Sequence, residues 1–301
     1  MTTLARAAVD RIEALIQQEL GRNIGGLFEA ARGGLWGAAS ALASAPRVSV
    51  GLITGFYVPR GAPPAAETDG PVGAAMLAAA LRCVGATCRV ATDEPCRATC
   101  AAALQDIDVP LDVVPFGGTV EGTIAHWCGF GVTHAISIER CGRSADGAPR
   151  NMRGEDIGAF TLPLDSLFLA PWWRKIAIGD GGNEIGMGSL PASLIGADVA
   201  HGEMIACATP AEHLIVAGVS NWGAYGLIGA LAVLRQDWRE TLIDCLDPER
   251  DAAILRACVN DGPAVDGVTR QRTLTVDSLP TEVHQEKLRA IRAVVEAHAA
   301  A

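Results

Sequence analysis

Apolar residues return at helical spacing through the first stretch of the chain. Leu4, Ala8, Ile12, Leu15, Ile16 and Leu20 share one stripe, the mark of an amphipathic helix. Gly21 to Gly26 interrupts the stripe, and a second apolar run from Leu27 to Ala45 stops at Pro46, which cannot continue a helix. Residues 3–44 therefore predict two helices. Beyond them the period changes. Short β-branched runs at 48–54, 87–91, 111–115, 132–138, 175–178 and 213–219 predict buried strands. Between several of them lie longer runs that predict helices at 72–84, 96–104, 122–130 and 224–235. Residues 203–208 predict a further short strand, 162–174 a connector, and 281–298 a closing helix. Strand alternating with helix is the pattern of βαβ units. The expected fold class is α/β, a three-layer α/β/α arrangement with a mostly parallel central sheet and helical additions at both ends. Neither a repeat nor a clear linker divides the chain, so residues 1–301 read as one domain with residues 1–45 as a helical N-terminal extension.

Composition narrows the partners. Half of the 301 residues are apolar and 19% are charged, ample for a buried core and against disorder. The formal net charge of −10 disfavours nucleic acid and anionic membrane surfaces. A small-molecule substrate is the expected partner. The nine cysteines are irregularly spaced, without a CxxC pair, and read as small buried hydrophobes in a reducing compartment. The opening segment reads as a helix containing acids, not a signal peptide, and no apolar run reaches a membrane span. A cytoplasmic location is the expectation, and the amphipathic first helix leaves room for a homo-oligomer.

The chemistry concentrates in three polar loops that follow strands. The densest is Gly179-Asp180-Gly181-Gly182-Asn183-Glu184-Ile185-Gly186-Met187-Gly188, with five glycines in ten residues. Such a turn stabilises a fold poorly but lets backbone approach a ligand. The second loop holds Glu67 and Asp69, and Asp69 also has the position of a helix cap. The third runs from Glu139 and Arg140 through Arg143 to Arg153, with guanidinium forks suited to carboxylate or phosphate. A fourth strand end offers Ser220, read as a helix cap, and Asn221, read as a ligand contact. In an open α/β sheet the carboxyl ends of the strands share one edge, so these loops can meet. Carboxylates that meet repel one another unless a cation joins them. An oxygen-only set suits Mg²⁺ or Mn²⁺ rather than zinc. The expected metal ligands are Asp69, Asp180 and Glu184. The glycines make neither a dinucleotide-binding fingerprint nor a P-loop, and GxSxG is absent. His284, on the apolar face of the last helix, reads as a structural histidine.

Glu67-Thr68-Asp69-Gly70-Pro71, Asn151-Met152-Arg153-Gly154, residues 179–188 and Val219-Ser220-Asn221-Trp222-Gly223-Ala224-Tyr225 together resemble the D-glutamate cyclase C-terminal-domain family. The resemblance runs from about residue 45 to the end, extended by Asp266-Gly267 and Thr275-Val276-Asp277. It implies an α/β fold, an acidic cation-binding pocket, and a lyase reaction that turns D-glutamate into 5-oxo-D-proline and water. For that reaction Glu67 or Glu139 would move the amine proton. Asp180 and Glu184 would act through the metal, and Arg140, Arg143 or Arg153 would hold the α-carboxylate, with Asn183 and Asn221 as further substrate contacts. Two departures stand against it. Larger relatives carry a further hydratase-like N-terminal domain. The third loop here has Cys141 and Ala148-Pro149-Arg150 where relatives more often have proline and aromatics. Two other readings remain open: another metal-dependent enzyme acting on a small carboxylated or phosphorylated metabolite, and a catalytically silent binding module.

Overall fold

The computed structural model describes residues 3–21 and 23–300. Met1 and Thr2 of the expected N-terminal extension, and Arg22 of the expected break, lie outside them. Six strands form the central sheet: β1 (Ser49–Thr54), β2 (Thr87–Asp93), β3 (Leu111–Val114), β4 (His134–Ile138), β5 (Arg174–Gly179) and β6 (His213–Val216). Their order is β3-β2-β1-β4-β5-β6, and every neighbouring pair is parallel. This is the order of a doubly wound sheet, in which the chain first builds outwards from β1 and then reverses from β4. A crevice forms at that reversal, above the carboxyl ends of β1 and β4.

Both faces of the sheet are covered, which is why the strands read as continuous apolar runs rather than alternating ones. On one face the first helix (Thr3–Ile16), Gly34–Ala43, Pro71–Cys83 and the last helix (Thr281–Ala299) surround the helix Ser220–Leu234. That central helix is buried from Ser220 to Val233. The opposite face is closed by Leu27, Trp127, Leu167, Phe168, Trp173, Ile185 and Ile195. Among the described residues no helix is long and apolar enough to cross a membrane, and all nine cysteines are free thiols, seven of them buried.

Three departures from the sequence expectations bear on the core and the site. The second N-terminal helix is two helices, Gly25–Ala30 and Gly34–Ala43, because Gly33 turns left-handed (φ 87°) between them. The buried Glu13 satisfies the restart by accepting the Gly33 and Leu35 N–H groups at 2.8 and 2.9 Å. The segment expected as a strand at 203–208 contains a one-turn helix, Gly202–Ile205. Its N–H groups bond back to His201 and Gly202, while the Cys207 and Ala208 N–H groups that follow go to the carbonyls of Gly182 and Arg143 in two other loops. The helix expected at 224–235 begins four residues earlier, at Ser220, so the polar turn is its first turn.

Tight packing across β1 gives a test of the fold. A Cβ on Gly51 would sit 2.2–2.5 Å from three ring atoms of Trp127, and that indole is wholly buried and donates to Asp112 at 3.0 Å. Gly51→Ala is expected to cost about 1–3 kcal/mol, the usual range for overpacking. Calorimetry should show a melting temperature lower by about 3–8 °C.

Candidate active site

β1, β4 and β5 each end in a polar loop, and the three loops meet over the crevice with the tail segment 265–278. They enclose a cavity of about 360 Å³ lined by Glu67, Glu139, Asp180, Asn183, Glu184 and Asp277, with Arg60 and Arg153 also in its wall. That volume falls at the lower end of the ~300–1,000 Å³ typical of small-molecule sites. Each of the five acids and Asn183 is buried.

Local geometry explains why this chain can hold acids there. Glu184 folds back over its own loop, and its carboxylate accepts the N–H groups of Asp180 (3.0 Å), Gly181 (2.6 Å) and Gly182 (2.7 Å). Gly182 supplies the left-handed turn (φ 103°) this wrap needs, with Ile195 Cγ2 standing 2.5 Å from where a Cβ would be. The wrapped loop is pinned to the β4 loop by Ile185 N–H to Arg140 O (2.8 Å) and Gly142 N–H to Asn183 O (2.9 Å). Asn183 donates its amide to Arg150 O at 2.7 Å. Glu139 itself lies in the left-handed region (φ 43°), a strained conformation for a residue with a side chain. Ser220 Oγ donates to Glu139 Oε2 at 2.6 Å.

Asp69 and Asn221 cap each other's helices. Asp69 accepts the N–H groups of Ser220 (2.9 Å) and Asn221 (2.8 Å) at the start of helix Ser220–Leu234. Asn221 Oδ1 accepts those of Gly70 (2.9 Å) and Gly73 (2.7 Å) at the start of helix Pro71–Cys83. Asp69 thus does cap a helix, but a distant one, and Ser220 gives its hydroxyl to Glu139 rather than to a cap.

The acids form two overlapping groups. Oxygens of Asp69, Asp180 and Asp277 lie within 4.8 Å of one another, as do those of Glu139, Asp180 and Glu184, so Asp180 belongs to both. Burial pushes Glu139 well above the usual carboxylate range, and repulsion from Glu184, Asp180, Asp69 and Glu67 adds to it. Asp69 is raised for the same reasons, by burial and then by Asp277 and Asp180, against the lowering effect of its two N–H donors.

Other expected residues take different places. Arg140 does not face the cavity. Its guanidinium is fully buried and donates to Asp93 Oδ2 (2.6 Å), Gly55 O (2.7 Å) and Leu162 O (2.5 Å). Burial raises Asp93, but the Arg140 guanidinium outweighs it and holds the carboxyl below its usual range. Asn221 is fully buried and committed to capping, and also donates to Thr68 O at 3.3 Å. Arg143 is exposed and absent from the cavity wall. These three were expected to contact substrate; their hydrogen bonds and placement assign them to the scaffold and the surface. His284 is structural as expected, accepting from Trp222 Nε1 at 2.9 Å. Asp277 and Arg60 were not singled out by sequence as site residues. Asp277 lies in a two-residue reversal with Ser278, both at positive φ, and a sequence-only signal for it is confined to the Thr275-Val276-Asp277 motif.

A family model described as D-glutamate cyclase-like, C-terminal, matches residues 12–292. The chain belongs to this family. Over 203 residues it is also 35% identical to the mitochondrial D-glutamate cyclase of Homo sapiens, a match that covers 62% of the chain. That match takes in 33% of the human protein, so the chain spans about a third of the relative's length. As a member of the D-glutamate cyclase-like family, the chain carries its buried acids above the sheet reversal, where a doubly wound fold places ligands.

Proposed function

We propose that this chain is a lyase that cyclises D-glutamate to 5-oxo-D-proline with loss of water, assisted by a divalent cation. The observation that carries the reading is the group of acids buried together at the sheet reversal in a chain of this family. The donor set fits Mg²⁺ or Mn²⁺: every candidate ligand atom is a carboxylate oxygen, and Asp180 with Asp69 and Asp277, or with Glu139 and Glu184, offers three within 4.8 Å. When bound there, the ion would neutralise the oxygens of the substrate's side-chain carboxylate.

The reaction joins the α-amine nitrogen to the side-chain carboxyl carbon, breaks one carbon–oxygen bond of that carboxyl, and releases the oxygen as water. Starting from the ammonium and carboxylate forms, the nitrogen must lose two protons in all, and the departing oxygen must gain two to leave as water. Glu139 is the residue for that transfer. Its Oε2 is fixed by the Ser220 hydroxyl, and its raised proton affinity favours a group that takes up a proton. Glu67 lies on the same wall and balances the ammonium form of the substrate on entry. Arg153 meets the α-carboxylate, which the reaction leaves untouched. Holding amine and carboxyl together in a small closed space removes much of the entropic barrier to ring closure.

Purified protein supplied with Mn²⁺ and either D- or L-glutamate is expected to form 5-oxo-D-proline from the D isomer, followed by chiral chromatography. Absence of product from both isomers would overturn the cyclase reading. Stabilisation by phosphorylated metabolites and not by glutamate in a thermal-shift screen would point to the other metal-dependent reading.

A further inference from the structure

The cavity is bipolar. Its floor is acidic, but arginines from three distant segments lie in its wall or next in sequence to it. Arg60 and Arg153 line it, and Arg270 follows the lining residues Gly267 and Val268 in the tail turn. Glu155 pairs with Arg60, and its carboxyl is held below the usual range first by the Asn151 amide and then by the charges of Arg60, Arg153 and Arg270. Among the described residues, neither the Arg153 nor the Arg270 guanidinium has a carboxylate of its own. Like charges are therefore held close: after burial, the nearness of Arg270 is what most depresses the proton affinity of Arg153.

The backbone is built to hold this arrangement. Arg270 stands in the left-handed region (φ 61°), a strained conformation for a residue with a side chain. The buried Asp266 enforces that turn. Its Oδ1 accepts the N–H groups of Val268 (2.9 Å) and Thr269 (2.7 Å), its Oδ2 that of Ser278 (2.7 Å), and its carbonyl that of Arg270 (2.7 Å). Arg270 O in turn accepts the Ala62 N–H at 2.9 Å, tying the turn to the segment that carries Arg60. On the third segment Asn151 Oδ1 accepts the Arg153 and Glu155 N–H groups, and its amide donates to Glu155 at 2.9 Å. Three loops are thus braced to bring together guanidinium groups that repel one another. An anion between them resolves that conflict.

We propose that Arg60, Arg153 and Arg270 form a carboxylate-binding rim that receives the α-carboxylate of an amino-acid substrate while its other carboxylate reaches the acidic floor. The assignment of the α-carboxylate rests on the cyclase reading; the rim as an anion subsite does not. Its consequence is selectivity for amino acids with a free α-carboxylate. 4-Aminobutyrate has the amine and the far carboxylate but no α-carboxylate, and it should be a poor ligand.

The test uses 5-oxo-D-proline, whose single carboxylate is the former α-carboxylate, and its primary amide, both titrated calorimetrically into the full chain. The acid is expected to bind at least tenfold more tightly than the amide. Arg60→Gln and Arg270→Asn should each weaken the acid about tenfold and leave the amide unchanged; asparagine keeps the left-handed turn. In turnover the same variants should raise KM for D-glutamate with little change in kcat. Equal binding of acid and amide, no binding of either, or wild-type affinity in both variants would overturn the rim. Should either variant fail to fold, the other, with Arg153→Gln, decides. If D-glutamate is not cyclised but the acid still binds selectively and the variants lose it, the cyclase reading falls and the rim stands. If cyclisation proceeds in Arg60→Gln and Arg270→Asn with unchanged KM, the rim falls and the cyclase reading stands.

Discussion

Asp180→Asn is expected to abolish metal-dependent turnover while making the metal-free protein more stable. Asp180 is the only carboxylate shared by the two acid groups, so its loss removes a ligand from either arrangement. Changing residues one step outside a metal's ligand sphere already costs 10–100-fold in affinity or activity, so loss of a ligand should reduce 5-oxoproline formation by at least about a hundredfold. Without metal, the same substitution relieves repulsion. At separations within 4.8 Å and an effective dielectric of about 20, each fully ionised unit-charge pair repels by about 3.5–4 kcal/mol. Metal-free Asp180→Asn should therefore melt several degrees above the metal-free wild type. At an Mn²⁺ concentration of about 100 Kd the wild type gains about 2.7 kcal/mol from binding, and the variant gains almost nothing, so the gap between the two melting temperatures narrows by that amount. Thermal melts with and without Mn²⁺ read both halves. Equal Mn²⁺ shifts in the two proteins would show that Asp180 is not a ligand.

Arg140→Met is expected to destabilise the fold by about 3–5 kcal/mol, because it leaves Asp93 as an uncompensated buried charge. Both side chains are fully buried, and the guanidinium also holds two carbonyls, of Gly55 and Leu162. The melting temperature should fall by about 5–15 °C. KM for glutamate in protein kept well below that temperature should change little, whereas a substrate-binding arginine would show the opposite pattern. Replacing both partners, Arg140→Met with Asp93→Leu, should recover much of the loss, since an apolar pair of similar size does not carry the desolvation cost. The pair also fixes the acid limb of stability. Asp93 has a folded pKa below its ordinary value of 3.8, so its contribution is complete above that value and is lost as pH falls through the lower, folded one. Asp93→Asn should flatten the stability curve in that acidic window.

Arg140 also shows how far residue types carry an argument. A guanidinium next to Glu139, after a strand and in a loop rich in arginine, has the composition of a substrate clamp. The sequence offers no sign that Asp93, at the end of β2, lies beside it across the sheet. Asn221 is a similar case. A polar residue after a strand reads as a ligand contact, yet the helix begins at Ser220, and Asn221 is consumed by the free N–H groups of another helix. Arg60 and Arg270 drew no reading from sequence: one sits in a proline-rich loop and the other in a tail turn, and neither neighbourhood marks them out for the rim proposed above.

What the sequence determined by itself was the layered α/β fold and the end of the sheet where the acids gather. Both follow from local rules: apolar runs too short for helices must be buried strands, and acids set among glycines after such strands have no core to join. Which charges face the cavity was decided only by the tertiary structure. The buried Arg140 is held by Asp93, and Asp69 and Asn221 cap each other's helices; these partners are brought together by the order of the strands and not by distance along the chain.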